Sequence, residues 1–314
     1  MNPVRSPSAT LRFGILGAAD IARKALIPAI EAAANAELVG LASRNFDRGR
    51  RIFAGRIYGD YAELLADPKV DAVYLPLPNS LHREWTLSAL AAGKHVLCEK
   101  PLALNASEAG EMRAAAEQSG RIVMEAFMYR FHPRIRSIVA GLRENPPAVL
   151  KARFGFPLDA PGNYRLDPAL GGGALLDVGC YTIDLARWIL GEPEWVEAKG
   201  HSAGVDMTVE MTLGFDSGAR AELFASFETP ETQGLEADGV VVEKPFTAWK
   251  DPTDPYQSMV EEFSAAALGG LAAPLSLQDS IANLRVIDAV RRSLDSGHRY
   301  HLSEAGESRP PAVE

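Results

Sequence analysis

The sequence predicts an α/β protein. A doubly wound parallel sheet comes first, followed by an α+β domain whose open sheet is largely antiparallel. Two observations predict this. Over the first 125 residues, short apolar runs rich in β-branched residues alternate with segments of helical period, the pattern of βαβ units. After about residue 145 apolar and polar residues alternate along the strand patterns, as in a sheet with one solvated face.

The strand patterns of the first part are LRFGILG, AELVGLAS, VDAVYLPLP, KHVLCEK and RIVMEAF. Between them lie the helical patterns ADIARKALIPAIEAAAN, FDRGRRIFAG, YAELLADP, SLHREWTLSALAAG and NASEAGEMRAAAEQSG. The last has Asn105 or Ser107 as N-cap, Glu108 and Glu111 in its first turns, and Gly120 as its stop. The second part reads as strands at AVLKARFGF, WVEAKGHSA, TVEMTLGF, ARAELFASFE and LEADGVVVEK. Helices are expected at ALLDVGCYTIDLARWIL, YQSMVEEFSAAAL and LQDSIANLRVIDAVRRSLDSG. The expected domains are 1–123 and 124–302, with a polar, proline-containing tail at 303–314 expected to be disordered.

Composition narrows the function classes. The chain has 314 residues, 47% hydrophobic, enough for a large core in two domains. A net charge of -9 argues against a nucleic-acid or anionic-membrane surface. No run approaches the length of a membrane span. The opening MNPVRSPSAT has no apolar stretch, so no signal peptide and a cytoplasmic location are expected. Two cysteines, Cys98 and Cys180, are too few for a disulfide framework or a zinc site, so no metal is expected. Both read as small buried hydrophobes.

The first strand runs into Gly17-Ala18-Ala19-Asp20-Ile21-Ala22 and a helix. A dinucleotide site of the Rossmann type asks for G-x-G-x-x-G/A here, so that backbone can approach a pyrophosphate at the helix N-terminus. The match is Gly17-x-Ala19-x-x-Ala22, with alanine in place of the middle glycine. The second strand ends Ala42-Ser43-Arg44-Asn45, without the carboxylate that holds the ribose hydroxyl of NAD. A hydroxyl and a guanidinium suit a 2'-phosphate, so NADP is expected, with NAD possible.

Further stretches carry chemistry. Strand five ends on Glu99-Lys100-Pro101, where charges are unexpected unless they face a ligand. GGGALLDVGCYTIDL places Asp177 and Tyr181 four apart on a helix behind three glycines, which would let the chain pass close to a ligand. Asp184 lies one turn further on. Tyr129, Arg130 and His132 in MYRFHP, and Arg165 in NYRLDP, are further candidates to line a substrate pocket.

Together GILGAADIA, ASRN, VDAVYLPLPNSLH, AGKHVLCEKPL, MEAFMYRFHP and GGGALLDVGCYTIDL resemble the Gfo/Idh/MocA oxidoreductases over nearly the whole chain. The resemblance is greatest to the branch with dimeric dihydrodiol dehydrogenase and NADP-dependent D-xylose dehydrogenases. It implies a Rossmann domain before a substrate-binding and dimerisation domain, hence a homodimer. Gly17, Ala19 and Ala22 would form the phosphate turn, with Asp20 and Ile21 opening its helix. Ser43 and Arg44 would take the adenosine phosphate. Pro76, Asn79 and His82 would line the nicotinamide ribose, and Glu99, Lys100 and Pro101 the nicotinamide. Lys100-Pro101 is also where the family often has a cis peptide. The implied reaction is hydride transfer to or from a carbinol carbon of a sugar, polyol or cyclic diol. Tyr181 would move the proton, Lys100 would hold the oxygen, and Asp177 would bind a second hydroxyl or orient Lys100. Ala19 departs from the family pattern, and the stretch from Phe227 to Thr247 is shorter than in related sequences. Two alternatives remain: an NAD-dependent glycoside hydrolase of the same fold, and a non-catalytic NADP-sensing regulator.

Overall fold

A computed structural model describes residues 10–247, 250 and 252–302. The expected tail at 303–314 lies outside the described residues. Contacts divide the chain into two units: Met1–Arg136 with Ala248–Ser280, and Ser137–Thr247 with Ile281–Glu314. This differs from the contiguous division at 123/124, because chain from beyond the second sheet returns to the first unit.

The first unit holds a parallel sheet of β1 (Leu11–Leu16), β2 (Ala36–Ala42), β3 (Ile57–Tyr58), β4 (Ala72–Leu75), β5 (His95–Cys98) and β6 (Val123–Glu125). Their order is β3-β2-β1-β4-β5-β6, the doubly wound arrangement expected. Strands β4 and β5 are buried at every position, as parallel strands covered on both faces must be. The connecting helices are α1 (Ile27–Ala32), α2 (Phe46–Ile52), α3 (Tyr61–Ala66), α4 (His82–Ala91) and α5 (Ala106–Ser119). Asn105 caps α5 by accepting the Glu108 N–H at 2.9 Å, and Gly120 ends it with φ +64°. The two-residue edge strand β3 had no legible period. α6 (Pro133–Glu144) and α7 (Cys180–Leu190) follow, and α8 (Pro255–Gly269) returns to the first unit. There Phe263 lies against Phe13 of β1, ring centroids 5.9 Å apart.

The second unit is built on β7 (Val149–Gly155), β8 (Trp195–Ala203), β9 (Val205–Gly214), β10 (Arg220–Ser226), β11 (Thr232–Ala237), β12 (Val240–Glu243) and β13 (Tyr300–His301). Their order is β12-β11-β7-β10-β9-β8-β13. β7 and β10 pair in parallel and the other ladders are antiparallel. One face buries Leu150, Val196, Val209, Leu213 and Ala221. The other carries the ion pairs Lys151–Glu222 and Lys199–Glu210, each at 3.1 Å, and Arg153–Glu236 at 2.5 Å. LEADGVVVEK, read as one strand, is the hairpin of β11 and β12. It turns at Asp238-Gly239, whose φ values of +43° and +80° suit a two-residue hairpin turn. The short Phe227–Thr247 region therefore keeps its hairpin. Helix α9 (Leu277–Ser296) runs into this unit, where Ser293 Oγ accepts the Ala198 N–H at 2.9 Å. Among the described residues no helix is long and apolar enough to cross a membrane.

Candidate active site

The expected dinucleotide turn stands at the carboxyl end of β1. Gly17 has φ +112° and donates its N–H to Ala42 O at 2.9 Å. A Cβ there would lie 3.0 Å from Leu77 Cδ2 and 3.6 Å from the Tyr61 hydroxyl. The helix that follows starts as a π turn over Ala22–Leu26 before α1, a feature often found at functional sites. Ala19 and Ile21 are partly exposed, Asp20 is exposed beside Arg23 at 3.7 Å, and Ala22 is buried.

At the end of β2, Ser43 has a partner within the chain. Ser43 is buried, and its hydroxyl donates to Asn45 O at 2.8 Å and accepts the Asn45 N–H at 3.2 Å. It builds the turn into α2. Arg44 is exposed and acts on Tyr61. Burial pushes the Tyr61 hydroxyl's pKa up, and the Arg44 guanidinium opposes that push. Tyr61 meets Trp85 edge-on, centroids 4.9 Å apart. Sequence reasoning missed Tyr61, whose only signal was an aromatic directly after the capping Asp60, which accepts the Ala62 N–H at 2.9 Å. A glycine cradle that a Cβ would fill, a hydroxyl above it and an exposed guanidinium together fit a dinucleotide with an added phosphate.

At the end of β5 the charged pair is tied into the fold. The Tyr74 hydroxyl donates to the Glu99 carboxylate, which also accepts the Lys100 N–H at 3.2 Å. Glu99 thus fixes the backbone that presents Lys100. The Lys100-Pro101 bond is cis, as the resemblance implied. Pro76 and Asn79 are buried in the loop after β4. His82 is wholly buried, with Nδ1 2.8 Å from Pro101 O and Nε2 2.9 Å from Leu77 O. It therefore joins two loops, both ring nitrogens facing carbonyls of the protein.

The MYRFHP residues sit in the first unit and are used in packing. Tyr129 is buried against Phe127, centroids 6.1 Å apart. Arg130 pairs with Asp279 at 2.5 Å. His132 is buried and its Nδ1 accepts the Arg134 N–H at 3.1 Å.

The second unit gathers Arg165, Asp177 and Tyr181. Arg165 Nε donates to Asp177 Oδ2 at 2.7 Å, and its guanidinium lies 4.7 Å from the Tyr164 ring centroid. Burial pulls Arg165's pKa down, but the charges of Asp177, Tyr164 and Tyr181 outweigh this and raise it. Arg165 is thus within electrostatic reach of Tyr181 as well as Asp177. Asp177 lies in a π turn, Leu175–Gly179, and Tyr181 in the first turn of α7. The Tyr181 ring is buried against Phe154 and Phe246, at 5.4 and 5.5 Å between centroids. Asp184 is buried on the same helix.

Two of the three glycines have roles in the fold. Gly172 and Gly173 donate their N–H groups to Asp167 O and Arg165 O, at 3.0 and 2.9 Å. Gly173 has φ +114°, and a Cβ on it would lie 2.2 Å from Asp206 Oδ1. Asp206 Oδ2 accepts the Leu175 N–H at 2.5 Å, so this carboxylate from β9 caps the segment bearing Asp177 and Tyr181. Burial raises the Asp206 pKa, opposed by the backbone N–H groups and Arg291. Asp206 was missed because thirty-one residues separate it from its partner. Cys98 and Cys180 are buried, as expected, and neither is in a disulfide; burial raises the Cys98 thiol's pKa.

Comparison with known proteins agrees with this geometry. A family model described as an oxidoreductase family with an NAD-binding Rossmann fold matches residues 11–127, and the GFO/IDH/MocA C-terminal domain model matches residues 135–241. The chain belongs to the Gfo/Idh/MocA oxidoreductase family. It is 38% identical to D-xylose 1-dehydrogenase (NADP(+)) 2 of Haloferax volcanii, over 93% of this chain and all of that protein. It is 36% identical to trans-1,2-dihydrobenzene-1,2-diol dehydrogenase of Xenopus laevis over 60% of each chain. Among solved structures, a 3-ketoreductase from Actinomadura kijaniata in complex with NADP and TDP-benzene superposes with a TM-score of 0.85 at 33% identity, covering 91% of this chain and 98% of that one. The same reductase has also been solved with one tyrosine changed to phenylalanine and with one lysine changed to alanine or glutamate. The Gfo/Idh/MocA membership makes this chain an oxidoreductase with a dinucleotide-binding domain.

Proposed function

We propose that the protein is an NADP-dependent dehydrogenase or reductase acting on CH–OH groups of a sugar, polyol or cyclic diol. The observation that carries the substrate class is the Arg165–Asp177 pair at the start of the helix bearing Tyr181. A fixed carboxylate and guanidinium beside aromatic rings offer hydroxyl groups an acceptor, donors and a flat apolar surface. The relatives that act on D-xylose and on a dihydrodiol support the same class.

Arg44 and Tyr61, with the Gly17 turn, would hold the adenosine end and its phosphate. When bound, the nicotinamide supplies hydride exchange with the substrate carbon. The chain's own residues manage the proton. Tyr181 exchanges it with the substrate hydroxyl, and Lys100 holds the substrate oxygen and favours the tyrosinate. Arg165 would orient Asp177 toward a second hydroxyl through their ion pair, and lies within electrostatic reach of Tyr181. The lysine and tyrosine altered in the related reductase are the same two residue types.

We further infer a cytoplasmic homodimer. Two buried cysteines outside any disulfide suit a reducing compartment. The ion-paired outer face of the second sheet is the surface for assembly, so the dimer should weaken with added salt. Light scattering at micromolar protein should give twice the monomer mass, and a monomer at low salt would refute it.

The test of function is a panel of aldoses, inositols and diols with NADP, followed at the NADPH absorbance. Turnover of at least one class is expected. Cleavage of a glycoside without net NADPH formation would replace this reading.

A further inference from the structure

In the second unit, the Arg165–Asp177 pair depends on a third side chain. Its two partners lie 12 positions apart, joined by irregular chain. One side-chain bond would leave a loop of that length free to shift. Two backbone bonds hold it, and both end on the same residue. Gly173 donates its N–H to Arg165 O at 2.9 Å, and its own carbonyl accepts the Asp177 N–H at 3.1 Å. Residue 173 is therefore tied to the main chain of both partners. Gly172 lets the Arg165 loop press close, since a Cβ on it would lie 2.5 Å from Arg165 O.

What seats residue 173 comes from another element. Asp206 stands on β9, paired with Ser202 of β8. Its Oδ2 accepts the Leu175 N–H at 2.5 Å, and the Ala174 N–H faces the same carboxylate. Its Oδ1 fills the space that a Cβ of residue 173 would take, 2.2 Å away. Three consecutive residues, 173 to 175, thus rest on one carboxylate carried by a paired strand. A polar constellation keeps its geometry when further hydrogen bonds from a rigid element hold it. Tyr181 has separate support, because its ring packs on Phe154 and Phe246.

We propose that Asp206 is a positioning residue, which sets the geometry of the Arg165–Asp177 pair by seating residues 173 to 175 and so governs how a second substrate hydroxyl is bound. It acts through residue 173, on the pair more than on Tyr181. Its bearing on the substrate rests on the proposed function; its bearing on the pair does not.

Two measurements in the intact protein test this. Proton–nitrogen NMR of the arginine side chains follows the Arg165 Nε–H, assigned by its loss in Arg165→Lys. Its bond to Asp177 should protect it from exchange with water, and Asp206→Ala should speed that exchange by roughly 10-fold or more. An unchanged exchange rate overturns the proposal. Kinetics with saturating NADP and varied D-xylose, or the panel member turned over fastest, test the bearing on substrate. Asp206→Ala should raise KM by roughly 10-fold and lower kcat by less, with NADP affinity held within about twofold. In an Asp177→Asn background the same change should barely move KM further, because both act on one group. A lower kcat with KM unchanged marks a merely structural role and overturns the positioning role. Asp206→Asn keeps an oxygen that accepts the Leu175 N–H, so its exchange rate and KM should fall between those of the unmodified protein and Asp206→Ala. If Asp206→Ala does not fold, Asp206→Asn decides by the same two readouts. If no sugar or diol is turned over by the unmodified protein, the proposed function fails, while the exchange rate still decides whether Asp206 sets the pair.

Discussion

Replacing Gly173 by alanine should disconnect the helix that carries Asp177 and Tyr181. Two costs are visible in the structure. Residue 173 has φ +114°, where an L side chain costs roughly 1–2 kcal/mol. Its new Cβ would lie 2.2 Å from Asp206 Oδ1 and 2.8 Å from Asp206 Cγ, so the carboxylate must leave. Leaving breaks the charge-assisted bond to Leu175 N–H, worth roughly 1.5–3 kcal/mol. The total is about 2.5–5 kcal/mol. Urea unfolding followed by tryptophan emission would measure it, since Trp188 and Trp195 report from the second unit. Asp206→Ala removes the obstacle beforehand, leaving only the roughly 1–2 kcal/mol backbone cost for Gly173→Ala in that background. The cycle should therefore show a coupling of about 1.5–3 kcal/mol. Costs that add to within about 0.5 kcal/mol would refute the argument that Gly173 exists to admit Asp206. NADP binding should survive both changes, because the dinucleotide turn lies in the other unit.

Three further outcomes are expected. Tyr181→Phe should lower kcat by roughly 10²–10⁴-fold with NADP binding nearly unchanged; retention of more than about a tenth of the rate would remove Tyr181 from the proton step. Arg44→Asp should reduce or reverse an NADP over NAD preference of roughly 10- to 100-fold, the worth of one charge-assisted contact, and equal use of both cofactors by the unmodified protein would contradict it. Burial, aided by Arg121, lowers the His95 pKa from 6.5 to about 4. The folded state thus resists protonation that the unfolded chain accepts. His95's contribution is complete above pH 6.5 and is lost as pH falls toward 4, on the order of 3 kcal/mol in all. His95→Gln should flatten that slope in urea titrations between pH 6.5 and 4.5, and an unchanged slope would count against the assignment.

Much of the site was legible in the chain. The Gly17 turn, Arg44, the Lys100-Pro101 strand end and the Asp177–Tyr181 helix are local motifs, and each occupies the element its pattern predicted. Other residues make contacts within the fold that the sequence did not show. Ser43, His82, Glu99 and Arg130 were read as ligand-facing because polar groups near a motif suggest a site. In the fold, Asn45, Leu77 and Pro101, Tyr74, and Asp279 engage them. A buried polar group must find a partner, and sequence does not show whether that partner is a ligand or another part of the chain.

The sequence by itself determined the order of elements, the change from parallel to antiparallel sheet, and the dinucleotide turn, because these depend on periods of two and 3.6 and on residues a few positions apart. Only the tertiary structure decided which unit α8 joins, that Asp206 caps the helix behind three glycines, and that Arg165 holds Asp177. Those contacts join side chains distant in sequence or separated by an irregular turn, where no periodic pattern records the pairing. They form because a carboxylate or apolar face removed from water must be matched by whatever the folded chain brings beside it.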